Sequence, residues 1–135
     1  MKRLLDQVRE FHEAFGVPVL AYPALPDQER RALRKRILNE EYLEYMKAEK
    51  DNDLADVADA LGDMAYIIAG TALEYGIPLD RVMDAIHRAN MAKLWPDGKP
   101  IKREDGKVIK PLGWKAPDIA AALDGTDDIG EQACK

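Results

Sequence analysis

The stretch that decides the fold is Leu54-Ala55-Asp56-Val57-Ala58-Asp59-Ala60-Leu61-Gly62-Asp63-Met64-Ala65-Tyr66-Ile67-Ile68-Ala69-Gly70-Thr71-Ala72-Leu73. It is apolar almost all the way round a helix, a pattern that predicts burial. Asp56, Asp59 and Asp63 interrupt it. At about 100° per residue the three fall within about 60° of one another, on a line that continues through Ile67 and Gly70. Carboxylates on a buried helix are costly unless a cation or a base neutralises them.

Residues 28–50 read as a second helix with the stripe Leu33, Ile37, Glu40, Glu41, Glu44 and Ala48. The three glutamates lie within about 60° of Ile37, on the side that should be packed. Two helices thus direct six acids toward one interior, and these cannot all stay ionised without cations. Oxygen-only donors suit Mg²⁺ or Mn²⁺, and several carboxylates can hold more than one ion.

The chain has 135 residues and a net charge of −5. The length predicts one domain over residues 1–125, followed by a polar, flexible tail over 126–135. The acidic balance argues against a nucleic-acid binder. A single cysteine, Cys134, excludes a disulfide within the chain and a cysteine-based zinc site. Met1-Lys2-Arg3 leads straight into an amphipathic pattern, so no signal peptide is expected. The aspartates break the central apolar run, which argues against a membrane span. A cytoplasmic location is the default expectation.

Around this core, Leu4, Val8, Phe11 and Phe15 predict a packing helix over 2–15, closed by Gly16. His12 reads as a packing or surface residue. Pro18, Pro23 and Pro26 mark a loop over 17–27. Arg30, Arg31, Arg34, Lys35 and Arg36 read as a solvated face whose charges pair with acids one turn away. The aspartate helix should run to Tyr75, with Gly76 as its cap and Pro78 beyond. A helix over 80–94 carries His87, Asn90 and Lys93 at spacing three. Residues 95–116 are rich in Gly, Pro and Lys and read as turns, with a short hairpin at Asp105-Gly106. This basic arm on an acidic chain invites an anionic ligand. A short helix starts at Pro117-Asp118 and ends at Asp124-Gly125.

Clustered carboxylates with Lys and Asn donors describe a phosphoanhydride site, in which a divalent cation offsets phosphate charge and a spare glutamate handles a water. No Gly-x-x-x-x-Gly-Lys-Ser/Thr loop occurs, so a kinase-like or GTPase-like mechanism is not expected.

Glu40-Glu41-x-x-Glu44, followed by an acid-rich helix containing Leu61-Gly62-Asp63-Met64-Ala65-Tyr66, resembles the all-α nucleoside triphosphate pyrophosphatases. That superfamily includes the MazG-like proteins, the dimeric dUTPases and phosphoribosyl-ATP pyrophosphohydrolase. His87-Arg-Ala-Asn90-Met-Ala-Lys93, Asp97-Gly98-Lys99 and Arg103-Glu-Asp-Gly-Lys107-Val-Ile-Lys110-Pro-x-Gly-Trp114 resemble its MazG-like, phosphoribosyl-ATP pyrophosphohydrolase-like branch. The resemblance covers residues 5–119. It implies an all-α helical bundle with a long basic C-terminal loop arm, completed by oligomerisation as a homodimer or homotetramer. The implied reaction is Mg²⁺-dependent hydrolysis of a nucleoside triphosphate to its monophosphate and pyrophosphate, with Mn²⁺ as a possible substitute. A house-cleaning or dUTPase-like role would follow.

By position, the resemblance implies that Glu41, Glu44 and Asp63 hold metal, and that Glu40 and Glu41 serve catalysis, with Glu40 acting on the water or on a further ion. Asn90, Lys93, Lys107 and Lys110 would contact phosphates, and Trp114 would lie near the base or sugar. The chain departs from the usual Glu-x-x-Asp pattern, because Ala60 stands three residues before Asp63. Asp59 is the expected replacement, with Asp56 a second candidate. Three alternatives compete. One is phosphoribosyl-ATP as substrate, and another is a non-catalytic nucleotide-binding module. The third, a di-iron bundle, needs Glu-x-x-His on two helices and finds only Asp84-x-x-His87.

Overall fold

The structure, a computed structural model, describes residues 1–126. It is all-α, with helices α1 (Lys2–Phe15), α2 (Gln28–Lys50), α3 (Leu54–Glu74), α4 (Leu79–Met91) and α5 (Ile119–Asp124). The chain forms two compact units, Met1–Leu79 and the part from Asp80 onward. Most of the predicted tail, with Cys134, lies outside the described residues.

In the first unit α3 packs against both α2 and α1. Local signals set the helix limits. Asp27 and Asp53 cap α2 and α3, each side chain accepting from the backbone N–H three residues on, at 2.9 and 3.0 Å. Gly16 ends α1 in the left-handed conformation, as its position in the sequence predicts. Asn52 takes φ 52° in the tight turn between α2 and α3. The core joins Val8 of α1 to Ala69 and Leu73 of α3, with Leu4, Leu5, Val19 and Tyr66 packed round them. Phe11 stacks on Phe15 and meets Tyr66 edge-on. The proline-rich loop is stitched to the end of α3 through Leu20 N–H to Leu73 O and Ala24 N–H to Tyr75 O. Gly76 permits this, since a Cβ there would collide with the Tyr22 carbonyl.

Two expectations are corrected here. Burial of α3 is confined mainly to its last two turns, where α1 covers it; Leu54 and Leu61 are 82% and 50% exposed. The early turns lean on α2, which covers Ala60 but leaves the larger apolar side chains such as Leu54 and Leu61 open. The arginine-rich start of α2 is not simply a solvated face. Arg34 is buried, and its charge is met by Glu74, far away in sequence.

In the second unit α4 ends three residues earlier than the periodicity predicts. Lys93 N–H to Asn90 O and Leu94 N–H to Met91 O form a tighter final turn. The hairpin at Asp105-Gly106 is present. Lys102 and Val108 form an antiparallel bridge, and Arg103 N–H reaches Lys107 O at 2.8 Å. Two indoles pin the arm: Trp95 donates to Ile109 O at 3.2 Å and Trp114 to Ala89 O at 2.7 Å. Asp118 caps α5 and Gly125 closes it, as expected.

Candidate active site

Glu41 and Glu44 stand on neighbouring positions of one face of α2, and Asp63 faces them from α3. One oxygen from each carboxylate lies within 4.8 Å of the other two. Oε2 of Glu41 is buried and has no hydrogen-bond partner among the described residues. Burial pushes the Glu41 carboxyl above the ordinary range. The charges of Glu44, Asp63 and Asp59 push in the same direction. The trio thus concentrates negative charge that the protein does not balance within it. Hard oxygen donors with an orphaned buried lone pair fit a divalent cation of the Mg²⁺ or Mn²⁺ type.

Beside the trio, Glu44, Lys47, Ala48, Asp56, Asp59 and Ala60 line a cleft of about 290 Å³. Lys47 is held by Asp51 at 2.9 Å. Asp59 and Asp56 therefore line the same cleft as Glu44, but neither belongs to the close trio. Glu40 is exposed and also stands outside it. Ala60 is buried, so a methyl group occupies the position where the pattern calls for an acid.

The second unit gathers the predicted phosphate ligands. Lys93 Nζ donates to Asn90 Oδ1 at 2.9 Å. The ammonium groups of Lys93 and Lys110 stand 5.3 and 4.5 Å from the centroid of the Trp114 ring. Lys107 is exposed on the hairpin, where its backbone N–H is fixed by Asp105, itself paired with Arg103 at 2.7 Å.

A family model described as phosphoribosyl-ATP pyrophosphohydrolase matches residues 8–90, more than half of the chain. The chain belongs to the phosphoribosyl-ATP pyrophosphohydrolase family. An uncharacterized protein of Acanthamoeba polyphaga mimivirus is 28% identical over 126 residues, 87% of this chain and 50% of the viral protein. The chain thus spans about half the length of the curated relative it matches. The crystal structure of a candidate NTP pyrophosphohydrolase from Exiguobacterium sp. 255-15 is 27% identical, covers 97% of this chain and 96% of that one, and has a TM-score of 0.48.

The matched region of this pyrophosphohydrolase-family chain contains a second charged cluster that sequence reasoning missed. Glu74 is fully buried. Its Oε1 meets Arg30 Nη2 at 2.8 Å and its Oε2 meets Arg34 Nη1 at 3.0 Å. Arg34 also donates to Thr71 Oγ1 and to the Ile67 carbonyl. Gly70 makes room, since a Cβ there would lie 2.6 Å from Arg34 Nη2 and 2.8 Å from His12 Nε2. His12 is buried, with Nδ1 3.1 Å from Pro18 O, in accord with its packing reading. Only the apolar surroundings of Glu74 could have flagged the cluster. Nothing in the spacing connects Glu74 to arginines some forty residues earlier.

Proposed function

We propose that the chain hydrolyses a nucleoside triphosphate to its monophosphate and pyrophosphate with a divalent cation held by Glu41, Glu44 and Asp63. The observation that carries this reading is the uncompensated trio, with its buried and unpartnered Glu41 oxygen, in a chain of a pyrophosphohydrolase family. When bound, Mg²⁺ or Mn²⁺ offsets the negative charge of the phosphates. Asp59, which lines the same cleft as Glu44, supplies the fourth acid from just outside the three metal-holding residues, in place of the one that Ala60 lacks. Exposed Glu40 accepts the proton of the attacking water, while the bond between the α- and β-phosphates breaks and pyrophosphate departs. Asn90, Lys93, Lys107 and Lys110 supply donors and positive charge to the phosphate chain.

The protein acts as a homodimer or homotetramer in this reading. Tyr42, Leu43 and Met46 on α2 and Leu61 on α3 are at least 45% exposed, an apolar surface that self-association would cover. Among the described residues no helix is long and apolar enough to cross a membrane. Phosphoribosyl-ATP is the second candidate substrate, favoured by the description of the matching family.

The test is pyrophosphate release from a panel of dNTPs, NTPs and phosphoribosyl-ATP with Mg²⁺ or Mn²⁺. Monophosphate and pyrophosphate from one or a few triphosphates is the expected result. Turnover of phosphoribosyl-ATP alone would select the second substrate. No turnover of any of them would leave a binding module.

A further inference from the structure

The indole of Trp114 is engaged on its edge and over its ring. Its N–H is committed to Ala89 O at 2.7 Å, which fixes the ring to the last turn of α4. Two ammonium groups, from Lys93 and Lys110, stand over the ring at 5.3 and 4.5 Å from its centroid. The two charges are therefore less than about 10 Å apart, about one Debye length at 0.1 M ionic strength. Neither ammonium has a carboxylate partner among the described residues, and Lys93 is aimed further by Asn90 Oδ1. Like charges held this close repel each other, and the negative face of an aromatic ring offsets part of that cost. An anion drawn in between them would offset the rest. A base would have to compete with these cations for the π-surface of the ring.

We propose that Trp114 is a positioning residue that holds Lys93 and Lys110 as a two-charge clamp for a polyphosphate chain, rather than a surface on which the base stacks. The inference rests on the triphosphate reading for its biological ligand, but the clamp can be measured without turnover. Its ligand class is a linear polyphosphate, and inorganic tripolyphosphate is the probe.

The experiment records the lysine ε-CH₂ resonances of the full chain, assigned with Lys→Arg variants, before and after adding tripolyphosphate without metal. Ring current should place the Lys93 and Lys110 signals upfield of the other lysines, and tripolyphosphate should move these two. Trp114→Leu should abolish the upfield shift and weaken tripolyphosphate about tenfold, the size of two exposed cation–π contacts. Trp114→Phe keeps a π-face and should stay within about threefold of wild type. A Lys93→Met, Lys110→Met double variant retains Trp114 and its bond to Ala89, so it controls for folding of the arm, and it should lose at least as much affinity. If triphosphate is hydrolysed, Trp114→Leu should raise KM by the same factor and leave kcat within about twofold.

Ordinary lysine shifts in the free protein would overturn the proposal. So would a Trp114→Leu variant that binds tripolyphosphate normally but loses affinity for nucleotides, the signature of base stacking. Absence of turnover with every triphosphate would sink the hydrolase reading, while the resonance shifts and tripolyphosphate binding would still decide the clamp.

Discussion

The α2–α3 pair carries carboxylates at two places and treats them in opposite ways. Near the start of α2 and the end of α3, Glu74 is fully buried and clasped by Arg30 and Arg34. Further along the same pair, Glu41, Glu44 and Asp63 converge with no ion-pair partner among the described residues. Both clusters sit on the same two helices, so helix geometry does not separate them. The difference lies in compensation. A charge already paired inside the protein is part of the fold, and breaking the pair leaves a buried partner exposed to its full desolvation cost. A charge cluster left unpaired is one that folding alone does not favour, which points to a ligand from outside.

Removing one side of the paired cluster should produce the largest effect on folding. Glu74→Ala leaves two guanidinium groups facing each other, one of them buried, and should destabilise the protein by about 3–5 kcal/mol in urea denaturation. Removing one charge from the trio should behave in the opposite sense. Glu41→Gln removes a carboxylate that its surroundings already disfavour in the charged form. In the presence of chelator at neutral pH it should leave the melting temperature unchanged or raise it, while in separate assays with Mg²⁺ pyrophosphate release should fall by about 10²–10⁴-fold. A loss of stability comparable to that of Glu74→Ala would erase the distinction between the clusters.

The pH dependence sharpens the contrast. Glu41 is raised, so the native metal-free protein binds more protons than the unfolded chain between the ordinary glutamate pKa and the raised one. Its contribution to stability is full below that window and is lost as pH rises through it. The Glu41→Gln advantage in chelator should therefore shrink as pH is lowered to about 4, below the ordinary glutamate value. Parallel thermal melts of the two proteins from pH 4 to 8 would check it; a gap that widened toward acid would reverse the sign. A smaller effect separates Asp59 from the trio. Asp59→Asn should weaken Mn²⁺ about tenfold, within the range typical of residues just outside the ligand set, and Asp63→Asn by considerably more. Equal losses by calorimetry would place Asp59 among the direct ligands.

Much of the first unit is legible in the sequence because its signals are local. Gly16 lies at the stop of α1, and Glu41, Glu44 and Asp63 lie on the two helical faces that meet. The hairpin at Asp105-Gly106 is legible for the same reason, since turn chemistry acts within four residues. What was misread depends on distant partners. The early turns of α3 look buried by composition, but whether a side chain such as Leu61 is covered depends on where α1 stops. Arg34 looks solvated within its arginine run, and only the approach of Glu74 at the far end of α3 reveals otherwise. Periodicity also treats Asp56, Asp59 and Asp63 as equivalent, whereas the position of α2 brings only Asp63 into close range of Glu41 and Glu44.

The most direct test of the unpaired trio is Mn²⁺ binding followed by electron paramagnetic resonance, in wild type, Asp63→Asn and Glu74→Gln, at neutral pH without nucleotide. Wild type and any folded Glu74→Gln protein should bind Mn²⁺ with similar affinity, and Asp63→Asn should lose the site. Undiminished Mn²⁺ binding by Asp63→Asn would contradict the trio's role as that site.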